Sequence, residues 1–134
     1  MDKKYEVLEH PADLKIVSYG KSLGDVFSNM LEGMFKSCRP KLTSEEVVRK
    51  ITLSSEDKES LLINFLSEAL SLSDINDEVY FGAKFNKLTE KYLEGEIKGF
   101  KVKSLGLEIK AATWHDLKFE KKKDLIEATV LFDI

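Results

Sequence analysis

The chain is short of the residues that most binding and catalytic chemistries need. Cys38 is its single cysteine, which rules out a disulfide framework and a zinc site of several thiolates. As a lone thiol it reads as a semi-buried residue near a helix end. The two histidines, His10 and His115, cannot build a three-histidine zinc centre, and neither has the HExxH spacing. The seven glycines do not cluster, and neither a Walker loop nor a dinucleotide fingerprint is present. Nucleotide binding through a known phosphate loop is therefore disfavoured. No Gly-x-Ser-x-Gly elbow marks a serine nucleophile. Arg39 and Arg49 are the only arginines among 21 basic residues. Bidentate reading of phosphate or guanine favours arginine, so strong autonomous nucleic-acid binding is not expected. No signal peptide is evident and no apolar run approaches the roughly 18 residues of a membrane span. A soluble, cytoplasmic protein is the expectation.

What is present suits one folded domain over residues 1–134. Apolar residues make up 43% of the chain, enough for a core, and the net charge is only −3. Charges of both signs run through both halves, so neither end is a basic or acidic tail. The run Lys121-Lys122-Lys123 reads as a solvated turn between two strands.

The hydrophobic period changes along the chain. Residues 5–8 and 14–19 read as short strands joined through His10-Pro11-Ala12-Asp13, where Pro11 stiffens the turn and presents His10 and Asp13 from its two ends. Over 22–38, Leu23, Val26, Phe27, Met30, Leu31, Met34 and Phe35 recur at helical spacing. Ser22 and Asp25 have capping-box spacing, and Pro40 stops the helix. Met30 and Met34 lie on the apolar stripe and read as core filling, in preference to a peptide groove. Alternation over 47–53, with Val47, Arg49, Ile51 and Leu53 on one side, predicts a strand with one drier face. A second helix is predicted over 57–72, with Asp57 and Glu59 at its positive end. From residue 79 the period becomes two. Strands are predicted near 79–85, over 92–105 (one or two, with Gly95 and Gly99 as bulges or close-approach points), over 107–114 and over 126–134. Two early helices followed by a run of strands point to an α+β fold, with the helices packed on a mixed, largely antiparallel sheet.

The end of the last strand carries the best candidate chemistry. Terminal residues fray unless tied down. Here Asp133 and the α-carboxylate of Ile134 follow a stretch that a sheet should hold. On strand alternation Asp133 shares a face with Leu131 and Thr129. Asp13, after the proline-stiffened turn, could meet them. Converging carboxylates repel, and a hard divalent cation relieves that repulsion. Calcium tolerates irregular geometry, magnesium wants tighter octahedral order, and zinc enters if His10 or His115 joins. The bland readings are a turn-capping Asp13, a solubilising Asp133 and a structural His115. Core packing is the favoured reading of Trp114, with an exposed partner anchor as the alternative.

Three blocks of these residues resemble the archease family. They are Glu9-His10-Pro11-Ala12-Asp13-Leu14, the run Gly106-Leu107-Glu108-Ile109-Lys110-Ala111-Ala112-Thr113-Trp114-His115-Asp116-Leu117, and Ala128-Thr129-Val130-Leu131-Phe132-Asp133-Ile134. The resemblance implies a compact archease-like domain. It also implies a non-enzymatic cofactor of the tRNA-splicing RNA ligase, one that promotes guanylylation of the ligase's active-site histidine and multiple turnover. It implies that Asp13, Asp133 and the terminal carboxylate of Ile134 bind a divalent metal, Ca2+ first, with Mg2+, Mn2+ or Zn2+ as alternatives. His10 and His115 align with conspicuous family histidines. With Trp114 and Asp116 they are candidates for a secondary site or partner contact. Chaperoning of RNA methyltransferases is an alternative role. A metal-dependent hydrolase or phosphotransferase using His115 as base is another. The chain departs from the family pattern where Pro11 replaces the commoner Thr, Lys15 a frequent Gly and Trp114 a Tyr.

Overall fold

A computed structural model describes residues 3–9 and 12–134. In chain order the elements are β1 (Tyr5–Glu9), β2 (Asp13–Gly20), α1 (Leu23–Ser37), β3 (Pro40–Ser54), α2 (Lys58–Asn76), β4 (Glu78–Leu88), β5 (Tyr92–Leu105), β6 (Ala111–Lys122) and β7 (Leu125–Asp133). The expected α+β architecture is present. Its strands divide into a four-stranded sheet, β1-β2-β7-β6, and a three-stranded sheet, β3-β5-β4. Every pairing is antiparallel. Both helices touch strands of both sheets. The core therefore forms around them, with Phe27, Phe65 and Phe85 in mutual ring contact and Phe35 edge-on to Tyr80 at 5.4 Å.

The helix ends follow local chemistry. Ser22 Oγ accepts the Asp25 N–H at 3.1 Å and Asp57 Oδ1 accepts the Ser60 N–H at 2.7 Å, which satisfies donors that the first turns leave free. The stripe of α1 is buried as expected, and Met30 and Met34 are fully enclosed core residues. The helix is left at Cys38, and Arg39 takes a left-handed conformation before Pro40 opens β3. Cys38 is more buried than the sequence suggested, and burial raises its thiol to about 11. The second helix continues to Asn76, four residues past the expected end, because Leu72 and Ser73 still face the interior. It stops where Asp77 turns left-handed and donates its N–H to Ser73 O.

The strands depart further from simple alternation. Segment 92–105 is one strand, and its glycines are close-approach points. A Cβ on Gly99 would lie 1.7 Å from Val79 O, and one on Gly95 would lie 2.3 Å from Lys84 O. The shared face expected for Val79, Phe81, Ala83 and Phe85 is interrupted by a bulge between Tyr80 and Gly82, so Val79 and Tyr80 are both fully buried. The strand predicted over 107–114 begins only at Ala111. Leu107 and Gly106 instead donate to the Cys38 carbonyl, and Lys110 donates to Asp133 O at 2.8 Å. The lysine run is not wholly turn. Lys121 and Lys122 pair with Ile126 and Leu125, and the reversal falls at Lys123 and Asp124.

Candidate metal centre

Three chain segments end at one corner of the four-stranded sheet: the start of β2, the start of β6 and the finish of β7. Because β7 lies between β2 and β6, Asp133 is flanked on both sides. Asp13 stands directly opposite it on β2 and Ala111 directly opposite it on β6. Alternation fixes which way these residues face. Leu14 and Ile16 enter the core from β2, and Phe132 and Val130 enter it from β7. Asp13 and Asp133, one residue out of phase, therefore share the outer face.

Directly opposed residues on one sheet face have Cβ atoms about 4.5–5.5 Å apart, close enough for two carboxylates to share an ion, and like charges so placed are destabilising. One oxygen makes the point sharper. Asp13 Oδ1 is buried and has no hydrogen-bond partner among the described residues. An unpaired buried acceptor typically costs about 1–3 kcal/mol, and more when charged. Ile134 packs its side chain against the core, which restrains its backbone one residue beyond Asp133. The donor set of the two side chains is oxygen only, two opposed carboxylates, and it fits a hard divalent cation.

His115 and Asp116 are placed differently. Between Thr113 and Lys118 the β6–β7 register slips, so that Trp114, His115, Asp116 and Leu117 oppose Val130 alone. The extruded segment contains Asp116 in a left-handed conformation. Asp116 Oδ2 lies 3.8 Å from His115 Nε2 and 4.0 Å from Lys15 Nζ. Among the described residues, no three His, Cys, Asp or Glu side chains converge as metal ligands. His115 thus stands with Asp116 on the bulge, facing Lys15 of β2, and the cation corner rests on the side chains of Asp13 and Asp133. His10 and the Pro11 turn lie outside the described residues. Trp114 is 55% exposed, which overturns the core-packing expectation. The bulge is the reason, since it releases Trp114 from the alternation that would have buried it.

A cleft of about 730 Å³ opens beside the corner, between α2 and residues 102–111. Lys110 and Ala111 belong to both. Its rim mixes Asp74, Asp77 and Glu108 with Lys103 and Lys110, so it does not concentrate anions as a phosphate site would.

A second polar group was missed from sequence. The fully buried carboxylate of Glu78 accepts Arg49 Nε at 2.8 Å, Arg49 Nη2 at 2.5 Å, the Tyr80 hydroxyl at 2.7 Å and Lys101 Nζ at 3.4 Å. The Arg49 hydrogen bonds lead in holding Glu78 down at about 2, against the opposing effect of burial. Burial and the bond to Glu78 push the Tyr80 hydroxyl up. A signal existed: an arginine on the drier face of β3 needs an acidic partner.

Such a chain is defined by two helices shared between two antiparallel sheets, with opposed aspartates at the end of the central β2–β7 ladder. It belongs to the archease family. Residues 5–134 match the model of the Archease protein family (MTH1598/TM1083). Protein archease of Methanosarcina acetivorans is 36% identical over 141 residues, covering 98% of this chain and 97% of that one. The solution structure of Methanobacterium thermoautotrophicum protein 1598 is 27% identical with a TM-score of 0.67, covering 97% of this chain and 98% of that one. The crystal structure of an archease from Thermotoga maritima shares the fold, with a TM-score of 0.70, 23% identity and coverage of 100% and 98%.

Proposed function

We propose that this protein is a non-catalytic, divalent-cation-binding activator of the tRNA-splicing RNA ligase, acting in the cytoplasm to promote guanylylation of the ligase's active-site histidine and multiple turnover. The observation that carries the reading is the direct opposition of Asp13 and Asp133, with Asp13 Oδ1 buried and without a partner among the described residues. Membership of the archease family supports the choice of partner class.

Asp13, Asp133 and the terminal carboxylate of Ile134 would hold the ion, Ca2+ first among the candidates. A bound divalent ion supplies positive charge and open coordination positions for oxygen ligands. The residues themselves do the positioning. The β2–β7 ladder fixes the two carboxylates, and the Lys110 N–H holds the Asp133 backbone. With its charge neutralised, this corner can enter the anionic nucleotide pocket of the ligase, and the protein takes no part in the covalent step. Trp114, exposed on the neighbouring bulge, gives the contact an aromatic anchor.

Ligase guanylylation measured with and without this protein, before and after chelation, tests the reading. Stimulation that disappears on chelation and returns with Ca2+ is the expected result. In the same assay, Trp114→Ala should raise the half-maximal activator concentration by roughly 30-fold, the loss of one 2 kcal/mol hot spot. Its folding stability should change by no more than about 0.5 kcal/mol, as for other exposed positions. Turnover of nucleotide by this protein alone, or stimulation indifferent to chelation, would contradict the proposal.

A further inference from the structure

Among the described residues the strand β3 is an outer strand of its sheet, paired only with β5. From Glu46 to Ser54 that pairing is regular, with no register shift. The other edge of these nine residues therefore offers a straight row of backbone donors and acceptors, the feature through which sheets add strands. The face carrying Glu46, Val48, Lys50 and Thr52 is exposed throughout, and Val48 is among the more exposed apolar residues, at 49%.

The side chains of this edge form a pattern with a centre. Glu46 and Lys50 lie two positions on either side of Val48 and carry opposite charges. Neither takes part in an ion pair within the chain among the described residues. In an antiparallel pairing of two identical strands about a two-fold axis, each residue faces the one equally distant from the axis. With the axis at Val48, Glu46 of each copy faces Lys50 of the other, and the two Val48 side chains meet. Moving the axis to Glu46 or to Lys50 sets like charges against each other. Opposite charges directly across a ladder stabilise it and like charges disfavour it, so the charges favour the Val48 axis over those at Glu46 and Lys50, and it alone sets both Glu46–Lys50 pairs across the ladder. Arg49, on the other face, stays committed to Glu78.

We propose that β3 is a self-association edge, and that two copies of this chain join their three-stranded sheets into one continuous six-stranded sheet through β3–β3 pairing centred on Val48. The carboxylate corner lies on the other sheet and is not consumed by the contact. A pairing limited to about one strand is small beside standard interfaces, so the dimer is concentration-dependent.

Sedimentation equilibrium over a concentration series into the millimolar range tests this, with far-UV circular dichroism to confirm that each variant is folded. The mass should rise from 15.3 kDa towards twice that value. Lys50→Glu or Glu46→Lys alone should raise the dimer dissociation constant by roughly 30-fold, because each change sets like charges together at both symmetry-related positions. The double exchange Glu46→Lys with Lys50→Glu should restore association. A wild-type chain that stays monomeric throughout overturns the proposal. So does a dimer that ignores the single reversals, or one that the double exchange fails to rescue.

Discussion

Replacing Asp133 with alanine should abolish divalent-cation binding at the corner while leaving the fold intact. The side chain is exposed, and the backbone carbonyl that accepts the Lys110 N–H is retained in the variant. Removal takes away one of two opposed carboxylates and leaves Asp13 without its cross-strand partner. The fall in affinity should exceed about 100-fold, the upper end of what even outer-shell partners of a metal contribute. A cation that binds only the native state stabilises it by about 2.7 kcal/mol at one hundred times its dissociation constant. Wild-type protein should thus show a Tm that climbs with added Ca2+, and the Asp133→Ala protein a flat one. In chelator the order should narrow or reverse, since the variant no longer sets two carboxylates against each other. Differential scanning calorimetry across a Ca2+ series measures both halves. A variant that still gains stability with the wild-type concentration dependence would separate the cation from this corner.

The other large effect concerns stability. Arg49→Ala should destabilise the protein by about 3 kcal/mol and lower Tm by roughly 10 °C. The reason is the fully buried carboxylate left behind, because Glu78 would keep only the Tyr80 hydroxyl and the longer contact to Lys101. The typical cost of breaking a buried pair is about 3–5 kcal/mol, and the lower end applies because Arg49 and Lys101 are each about one third exposed. The pH dependence gives the mechanism away. In the wild type the Glu78 carboxyl is depressed to about 2 from an ordinary value of 4.5. Its contribution is then complete above about pH 4.5 and is lost as pH falls through about 2. Without Arg49 the leading cause of that depression is gone, and protonating Glu78 relieves the variant. The difference between the two proteins should therefore shrink between neutral pH and about pH 3, as read by urea unfolding. A difference constant across that range would mean that Arg49 acts through packing alone.

These two sites were unequally legible in the sequence. Helical spacing and capping residues located α1 and the start of α2, because those signals are local. The pairing of Asp13 with Asp133 could be put forward from alternation and a stiff turn, yet their register depends on β2 lying beside β7, 120 residues away along the chain. The four-residue bulge on β6 leaves no periodic signal, so alternation points Trp114 to the core although it is exposed, and the strand start at Ala111 is hidden for a similar reason. Backbone groups of Gly106, Leu107 and Lys110 find partners outside any strand, which periodicity cannot report. Glu78 and Arg49 sit on different strands that do not even pair, so only the unexplained arginine on a dry face hinted at their contact.

Crystals of the full chain soaked in Mn2+, a scatterer that shares the preference for oxygen ligands, put the shared-cation corner to its most direct test. The expected result is one anomalous peak between Asp13 and Asp133, within about 2.0–2.6 Å of carboxylate oxygens from both and near the Ile134 terminus. A peak elsewhere, or a fully ordered corner with no ion at saturating Mn2+, would contradict it.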